Sequence, residues 1–477
     1  MAVAVNETVV KSIVEQIVSQ LKSSGSANGV AKHGTGAAGV HATVDDAVNA
    51  AKEAFERFRH ISIEKRNQAI KCIRRICVEQ SELLGKMEMD ETQIGRLDHK
   101  IEKLVTAGEK SPGVEFLRSN VYSGDHGLTV EEFAPFGVIA AITPVTHSLP
   151  TLANNAISML ASGNVVVVNA HPSGANVAKE GVRRFNEAIR KEIGIDNLIT
   201  IIDPPTIDSA AALFDHRNVN LIVVTGGPAV ARAALQSKKR AIVAGPGNPP
   251  VVVDHTACMD NAAKSIIKGA SYDNNLLCIG EKEVFAVERI FDKLMDAMEK
   301  HGAYRLSSQQ IRDLETAVFQ RSMDGSGKTS VRKEFVGKDP WVLANLIGLK
   351  IPQSVELLYG ETGEESPFVD HEQMMPFVPF VRVKDVDEGI RLAKHYEHGY
   401  RHTAVMHSHD VVALTKMGRE LDTTLFIKNG PSMASLGSGG EGFLSFSIAT
   451  PTGEGVTSPL TFTRFRRCTL VDSLRII

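Results

Sequence analysis

The sequence predicts an α/β protein with two domains. Short runs rich in Val and Ile alternate with amphipathic helices, which is typical of parallel strands that are buried on both faces of a doubly wound sheet. This alternation occurs in two successive series, and a chain of 477 residues is too long for one ordinary core. Two α/β domains with a cleft between them are therefore expected.

The two series of predicted strands lie on either side of Cys278. The first series comprises 137–143, 164–170, 197–203, 220–227 and 240–245, and the second comprises 283–288, 376–383, 403–408 and 424–430. Between the strands lie helical patterns such as 152–161 and 175–193. From Thr43 the pattern is also helical, over the stretches 43–59 and 63–92.

Composition excludes several classes of protein. The chain is 43% hydrophobic, 23% charged and 5% aromatic, which is typical of a soluble globular protein. A net charge of −3 provides no electrostatic footprint for nucleic acid or an anionic membrane. No apolar run approaches the roughly 20 residues of a membrane span, and the N-terminus lacks the pattern of a secretion signal. Five scattered cysteines argue against a disulfide framework and for a reducing cytosol.

The N-terminal residues predict a helix on a tether. Residues 1–21 carry an amphipathic helix, because apolar residues from Val10 to Leu21 recur on one face. Residues 22–42 are rich in Gly, Ala and Ser and predict a flexible linker. The residues alone leave open whether this helix packs on its own protein or docks on a partner.

Cys278 is the candidate nucleophile. A helical pattern runs into Asp273-Asn274-Asn275, which should end it, and the chain then passes Cys278 before the strand at 283–288. Catalytic side chains are often displayed on such short connections. A thiolate is the nucleophilic form, so a reactive Cys278 needs N–H groups, a helix end or a cation nearby. The alternative interpretation is a buried cysteine that acts as a small hydrophobic residue.

Three predicted strands end in turns that suit a nucleotide. VTGG (224–227) leads into a helix, HPSG (171–174) follows another strand, and AGPGNPP (244–250) closes a third. Glycines allow close approach of a ligand, and open α/β sheets bind ligands at the carboxyl edge. Each turn alone is equally consistent with a plain tight turn. Together the three turns favour a nucleotide cleft.

Histidines cluster at positions 395, 398, 402, 407 and 409. Their spacing matches no familiar set of zinc ligands, and no cysteine lies close to them in the sequence. The cluster is interpreted as a polar helix end, and no metal site is predicted.

Several motifs together resemble the aldehyde dehydrogenase superfamily. They are Cys278 after DNN (273–275), VTGG (224–227), ITPVTH (142–147), SGNVVVV (162–168), ANNAISM (153–159), KNGPS (428–432) and ATPTGEGVTSPLTFTRFRRC (449–468). Within the superfamily they look like the CoA-acylating enzymes of bacterial microcompartments, of the propanediol-utilisation and ethanolamine-utilisation types. The resemblance extends from Thr43 to the C-terminus.

The resemblance implies an aldehyde dehydrogenase-like fold and its partners. The implied divisions are a Rossmann-like nicotinamide-binding domain (43–120 and 136–246), a catalytic domain (247–452) and a small β oligomerisation element (121–135 and 453–477). Residues 1–21 would be an encapsulation helix that docks on shell or core proteins of a microcompartment, with 22–42 as its linker. The implied location is the cytoplasm, inside a microcompartment. Further copies of the chain are implied as partners, in a dimer or a tetramer.

The resemblance also implies roles for individual residues. Cys278 would attack the aldehyde to form a thiohemiacetal and then a thioester. The backbone N–H of Cys278 and the side chain of Thr146, where an asparagine usually stands, would hold the oxyanion. The implied nicotinamide-binding residues are Thr143, Pro144, His171, Pro172, Thr225, Gly226, Gly227, Ala244, Gly245 and Glu372, with Glu372 on the ribose. CoA would use the same groove after the reduced nicotinamide leaves.

Ala244 indicates which molecule accepts the acyl group. The resemblance places Ala244 where hydrolytic members have a glutamate that activates water. Water is a poor nucleophile without a positioned base, whereas a thiolate attacks a thioester unaided. The absence of a carboxylate at 244 therefore favours transfer to CoA over hydrolysis.

The sequence thus predicts a CoA-acylating aldehyde dehydrogenase. It would convert a C2–C3 aldehyde, NAD⁺ and CoA into acyl-CoA and NADH, with propionaldehyde favoured and acetaldehyde and lactaldehyde left open. NADP is also left open as the cofactor. The rival functions are a hydrolytic dehydrogenase that yields a free acid and an inactive scaffold protein kept for its assembly helix.

Overall fold

The structure, a computed structural model, describes residues 37–321, 329–472 and 474. The predicted helix at 1–21 and the linker residues 22–36 lie outside the described residues. Among the described helices, none combines the length and the apolar composition needed to cross a membrane.

Helices of the described residues are numbered in chain order. They are α1 (Val44–Phe58), α2 (Ile63–Glu79), α3 (Ser81–Thr92), α4 (Leu97–Lys110), α5 (Ser148–Ala161), α6 (Ala175–Ile193), α7 (Ile207–Asp215), α8 (Pro228–Leu235), α9 (Met259–Ser271), α10 (Glu288–Lys300), α11 (Ser308–Val318), α12 (Pro340–Leu346), α13 (Pro367–Asp370), α14 (Val386–Tyr396) and α15 (Val411–Leu421).

Strands are numbered in the same way. They are β1 (Val40–His41), β2 (Asn120–Gly124), β3 (Gly127–Pro135), β4 (Val138–Thr143), β5 (Val165–Ala170), β6 (Ile199–Ile202), β7 (Leu221–Thr225), β8 (Ala241–Ala244), β9 (Pro250–Val253), β10 (Glu283–Val287), β11 (Tyr304–Arg305), β12 (Phe319–Arg321), β13 (Thr329–Val331), β14 (Leu358–Thr362), β15 (Phe377–Val383), β16 (Thr403–His407), β17 (Leu425–Lys428), β18 (Ile448–Ala449), β19 (Gly455–Val456) and β20 (Thr463–Val471).

The first sheet is parallel and has the strand order β1-β6-β5-β4-β7-β8. All five strands that the sequence predicts before Cys278 are present in it. They are Val- and Ile-rich because helices cover both faces of the sheet. The strand order reverses at β4, so β5 and β7 flank β4 and the crevice at its carboxyl end is the expected ligand site.

The second sheet is also parallel, with the order β11-β14-β15-β10-β9-β16-β17. The four strands predicted after Cys278 are β10, β15, β16 and β17. The sequence analysis missed β9, which lies between β10 and β16, because its four residues directly follow a Gly/Pro-rich turn. The two sheets have separate hydrophobic cores, one around each sheet.

The predicted linker boundary at residue 42 is wrong. Val40 and His41 form β1 and pair in parallel with Ile201 and Ile202 of β6. These residues therefore belong to the edge of the first sheet. The Gly/Ala-rich composition around them hid a strand of only two residues.

A small antiparallel sheet, β2-β3-β20, lies within the segments predicted as an oligomerisation element. It presents large apolar side chains to solvent, with Val121, Tyr122, Phe465 and Val471 each more than half exposed. Exposed apolar side chains on one sheet are typical of a protein–protein contact surface.

Candidate active site

The turn that carries Cys278 begins where α9 ends. Asp273, Asn274 and Asn275 follow this helix with positive φ angles of 49°, 56° and 64°. Asp and Asn visit the left-handed region more readily than other non-glycine residues, because their short polar side chains bond locally. This turn ends the helix, as predicted, and places a half-buried Cys278 before β10.

Buried hydrogen bonds hold this strained turn. The Asn274 side chain donates to Asp339 Oδ1 at 2.9 Å. The Lys282 ammonium, fully buried, donates to the backbone oxygen and the Oδ1 of Asn275 at 2.7 and 2.6 Å, and to the Leu277 oxygen at 3.3 Å. Backbone strain persists only where the surroundings over-determine it, and these bonds provide that constraint.

Glu281 ties the same turn to the loop after β17. Its carboxylate accepts bonds from the backbone N–H and the hydroxyl of Ser432, both at 2.8 Å. A Cβ atom at Gly269 would lie 1.8 Å from Glu281 Oε2, so the helix must have glycine there. Burial raises the pKa of Glu281 to about 7.

Four site residues meet at the amino edge of the second sheet. Glu372 precedes β15, Cys278 precedes β10, Gly247 precedes β9 and His402 precedes β16. These four strands are neighbours in the order β15-β10-β9-β16. Because the strands are parallel, their amino ends lie side by side, and residues from four distant segments come together.

The electrostatic surroundings of Cys278 disfavour its thiolate in the free enzyme. Burial raises the pKa of the Cys278 thiol to about 12, and the Glu372 carboxylate also raises it. The Lys282 ammonium and the backbone N–H of Cys278 act in the opposite direction. The resting site at neutral pH therefore holds a thiol, and catalysis requires its proton to move.

Glu372 lies in the loop between α13 and β15. Its carboxylate accepts a hydrogen bond from the backbone N–H of Gly247. Burial raises the pKa of Glu372, and the Lys282 ammonium offsets part of this effect. Its place beside Cys278 is compatible with the predicted contact to a nicotinamide ribose, which stays a prediction.

His402 is a site residue that the sequence analysis missed. A Cβ atom at Gly247 would lie 2.4 Å from the Cys278 oxygen and 3.0 Å from His402 Cγ, so the ring and the Cys278 backbone flank this glycine. His402 is buried; its Nδ1 bonds Thr403 Oγ1 at 2.8 Å, and its Nε2 has no hydrogen-bond partner among the described residues. Burial lowers the pKa of His402 to about 4, so the imidazole is neutral.

The interpretation of the histidine cluster as a polar helix end is wrong for two members. His395 lies in the last turn of α14 and His398 follows that helix, as expected. His402 directly precedes β16 and His407 lies within it, and both are buried. A histidine directly before a predicted strand, on the same edge as Cys278, was the signal that could have identified His402. Among the described residues no cluster of His, Cys, Asp or Glu suits a metal ion.

Cys278 lines a small cavity of about 40 Å³. Its walls are mainly apolar. The apolar lining consists of Leu277, Ile279, Met433, Leu436, Leu444, Phe446 and Ile448. Polar lining groups include Lys103, His147 and Ser445. The arrangement suits a small molecule with one reactive polar end and a short apolar chain.

The loop between β4 and α5 places His147, rather than Thr146, in this cavity wall. The backbone oxygen of Thr146 accepts a bond from the Lys100 ammonium at 2.7 Å. The Thr146 residue is half-buried and is not among the lining residues, whereas His147 is 5% exposed and lines the cavity with Cys278. The predicted oxyanion role of Thr146 stays a prediction. His147 and Lys103 were missed.

Four buried charges connect this loop to the Cys278 turn, and we refer to Glu88, Lys100, Lys103 and Asp273 as the buried quartet. Lys100 Nζ lies 3.6 Å from Glu88 Oε1 and 3.3 Å from Asp273 Oδ2, and Lys103 also pairs with Asp273. All four side chains are almost fully buried. Two cations and two anions offset each other, which makes their joint burial tolerable.

The predicted nicotinamide-binding residues, apart from Glu372, lie at the carboxyl edge of the first sheet. Thr143 ends β4 and Pro144 follows it, and His171 and Pro172 follow β5. Thr225 ends β7 before Gly226 and Gly227, and Ala244 ends β8 before Gly245. The edge also fits a dinucleotide chemically. Thr143 Oγ1 is buried without a hydrogen-bond partner among the described residues, and a Cβ atom at Gly227 would meet nothing within 4 Å. Gly227 caps α8, whose N-terminus attracts phosphate.

Comparison with known proteins decides the family. Residues 28–316 match the model of the aldehyde dehydrogenase family. The chain belongs to this family. The resemblance inferred from the motifs is therefore confirmed, and so is the α/β fold, because solved aldehyde dehydrogenases superimpose closely on the chain.

Three similar proteins illustrate how far the likeness of this aldehyde dehydrogenase extends. The acetaldehyde dehydrogenase (acetylating) EutE of Escherichia coli is 44% identical over 440 residues, which cover 92% of this chain and 94% of EutE. A propionaldehyde dehydrogenase from the fucose utilisation microcompartment of Clostridium phytofermentans has a TM-score of 0.89 and 42% identity, and 92% and 100% of the two chains are covered. The propionaldehyde dehydrogenase of Rhodopseudomonas palustris, solved with bound CoA and an acylated cysteine, has a TM-score of 0.89 and 43% identity, covering 92% and 99%.

Proposed function

We propose that the chain is a CoA-acylating aldehyde dehydrogenase that uses NAD, or NADP, and CoA. The observation that carries this proposal is Cys278, displayed on a strained turn at the wall of a mainly apolar cavity. The similar proteins are acylating acetaldehyde and propionaldehyde dehydrogenases, which supports the same reaction here. The favoured substrate is propionaldehyde, because the apolar lining suits a short alkyl chain.

The chemistry starts with the proton of Cys278. As its sulfur attacks the aldehyde carbon, a C–S bond forms and the carbonyl π electrons move to oxygen. We propose that His402 accepts the thiol proton, because its neutral imidazole and the Cys278 backbone flank Gly247 and its Nε2 has no hydrogen-bond partner among the described residues. Burial disfavours the imidazolium, so the proton leaves the site, and it is the one proton released when NAD⁺ oxidises the aldehyde and the thiol to the thioester.

Oxidation of the thiohemiacetal yields a thioester on Cys278. The bound dinucleotide would supply the acceptor for the hydride, held by residues at the carboxyl edge of the first sheet and by Glu372. Thr143 and Gly227 are the best-supported of these contacts, because the Thr143 hydroxyl has no hydrogen-bond partner within the described part of the chain and Gly227 leaves open space at a helix N-terminus. The thioester is then attacked by the CoA thiolate, and Cys278 leaves as a thiolate.

Ala244 supports transfer to CoA rather than to water. It is the last residue of β8 and is buried, with a methyl group where a base would be needed. A methyl group neither accepts a proton nor orients water. The position therefore provides no water-activating group, which supports transfer of the acyl group to CoA.

The proposal also includes where the protein is located and what it binds. Relatives from microcompartments support a location inside such a compartment in the cytoplasm, with residues 1–21 docking on shell or core proteins. The sheet β2-β3-β20 is proposed as the contact between copies of the chain, in a dimer or tetramer. Its exposed Phe465 and Tyr122 would be covered in that contact.

The test is direct detection of the acyl-enzyme. Incubation with propionaldehyde and NAD⁺ without CoA should place one propionyl group on the peptide that contains Cys278, as measured by mass spectrometry, and added CoA should remove it. Cys278→Ala should carry no acyl group, whereas Cys258→Ala, at an exposed position, should behave like the wild type. An acyl group on another residue, or none on Cys278, would refute the proposed nucleophile.

A further inference from the structure

One wall of the Cys278 cavity comes from a segment without helix or strand. Residues 443–447, which we refer to as the wall segment, have no regular secondary structure, yet Leu444, Ser445 and Phe446 are buried and line the cavity. Buried backbone N–H and C=O groups need hydrogen-bond partners, and a segment outside helices and strands does not provide them itself. The partners of the wall segment must therefore come from other parts of the chain.

Asn154 of α5 supplies partners to two residues of the wall segment that line the cavity. Its Nδ2 donates to the Leu444 oxygen at 3.1 Å, and its Oδ1 accepts a bond from the Phe446 N–H at 3.1 Å. Its Nδ2 also donates to Ser111 Oγ at 2.9 Å. Asn154 is buried, so its polar groups depend on these bonds. One side-chain amide thus holds the wall segment as the backbone of a neighbouring strand would.

The chemistry of these bonds permits only one orientation of the amide. The Leu444 oxygen only accepts hydrogen bonds and the Phe446 N–H only donates, so the two ends of the amide are not interchangeable. A carboxylate at position 154 would lack the donor, and an apolar side chain would lack both groups. Among side chains of this size, asparagine alone makes both bonds.

A second amide, on the next residue, fixes the wall segment relative to the first sheet. Asn155 Oδ1 accepts a bond from Ser447 Oγ at 3.0 Å, and Ser447 Oγ lies 2.6 Å from Thr225 Oγ1 at the end of β7. All three side chains are buried. Because Asn154 and Asn155 bind different residues of the wall segment, loss of the Asn154 bonds leaves the connection to β7 in place.

We propose that Asn154 is a positioning residue that determines which aldehydes fit the Cys278 cavity. It is not among the residues that line the cavity, so it acts through Leu444 and Phe446, whose side chains limit the space for the alkyl chain. The cavity is small, about 40 Å³, so a shift of either side chain changes a large fraction of this space. The inference deepens the proposed function and rests on it.

Asn154→Leu keeps the size of the side chain and removes both bonds to the wall segment. Because Leu444 and Phe446 are then free to shift, the ratio of kcat/KM for pentanal to kcat/KM for propionaldehyde should rise about tenfold, which is the scale of one methylene in an apolar pocket. The KM for propionaldehyde should rise. The KM for NAD⁺ should stay near the wild-type value, since Asn155 still connects the wall segment to Thr225.

Asn164→Leu is the matched control. Asn164 is also a buried asparagine, and its Nδ2 donates to the Phe462 oxygen at 2.9 Å, but neither residue lines the cavity. This variant should lose stability in urea unfolding without a change in the ratio of the two aldehydes. Asn154→Asp keeps the acceptor for Phe446 and loses the donor to Leu444, so its ratio should be intermediate. It takes the place of Asn154→Leu if that variant is unfolded.

The aldehyde ratio and the products together decide the outcome. An unchanged ratio in folded Asn154→Leu, or in Asn154→Asp where only that variant folds, would overturn the assignment. An equal rise in Asn164→Leu would also overturn it, because any loosening of the core would then be sufficient. These failures differ from failure of the proposed function: if the wild type forms no acyl-CoA from either aldehyde, the proposed function is refuted and this inference with it.

Discussion

The reactivity of Cys278 is set by a small number of neighbouring charges. Burial and the Glu372 carboxylate both raise the pKa of the thiol, whereas the Lys282 ammonium lowers it. Lys282 cannot be replaced without disturbing the turn, because it also bonds Asn275 and Leu277. Among the described contacts, Glu372 makes no hydrogen bond to the turn that carries Cys278. Its replacement therefore isolates the effect of one negative charge on the pKa of Cys278.

Replacing Glu372 by Gln should make Cys278 more reactive. Removal of a negative charge favours the thiolate, so the pKa of Cys278 should fall. The rate of alkylation by iodoacetamide, measured between pH 7 and 10, should therefore be higher in Glu372→Gln than in the wild type at each pH. In the wild type the rate should still rise at pH 10, because the thiol has a pKa of about 12.

Glu53→Gln provides the matched control, since Glu53 is exposed on α1. This variant should be alkylated at the wild-type rate. A slower or unchanged alkylation of Glu372→Gln would contradict the placement of its carboxylate beside Cys278. The same variant reports separately on the predicted ribose contact through its KM for NAD⁺.

At the scale of elements, the buried quartet joins four parts of the chain. It links α3, α4, the loop before α5 and the turn after α9. Burial alone would raise the pKa of Asp273, but the Lys103 and Lys100 ammonium groups and the Arg96 N–H outweigh it, so the pKa lies far below its usual range. The charged pairs therefore specify how these elements meet.

Asp273→Asn should destabilise the protein by about 3–5 kcal/mol, because it leaves two buried ammonium groups opposite one carboxylate. Urea unfolding measures this loss. Since the folded pKa of Asp273 is depressed, its stabilisation is present above about pH 4 and is lost as the pH falls below that value. The wild type should therefore lose stability below pH 4 more steeply than the variant.

Lys103→Met combined with Asp273→Asn restores the charge balance and should recover part of the loss. Asp260→Asn, which removes an exposed partner of Lys300, should leave the unfolding free energy nearly unchanged. If Asp273→Asn is as stable as Asp260→Asn, the quartet does not hold the turn.

At the scale of the whole molecule, the sequence predicted the secondary structure wherever its pattern is regular. It did not predict which segments distant in the sequence pack together. The strands flanking Cys278 follow from Val- and Ile-rich runs, and Cys278 itself follows from the DNN turn before it. Two short strands were not predicted, because β1 lies in a Gly/Ala-rich stretch and β9 follows a Gly/Pro turn. Local composition describes such segments correctly but does not report their pairing partners.

The missing site residues have the same explanation. Lys103 comes to the Cys278 cavity because α4 packs against a turn that lies 170 residues away in the sequence, and His147 directly follows Thr146, whose backbone oxygen accepts a bond from Lys100 of the same helix. His402 joins Cys278 because β16 and β10 both flank β9, the strand that was not predicted. Pairing across the second sheet, not any local motif, makes these residues neighbours.

The measurement that tests the central claim most directly is NADH production from propionaldehyde, with and without CoA, with the products identified. The account predicts rapid and sustained NADH only when CoA is present, with propionyl-CoA as the product. Without CoA, NADH should stop after one equivalent per active site, because the Cys278 thioester has no base at Ala244 to activate water. Equal sustained rates without CoA, with propionate as the product, would contradict the acylating reaction.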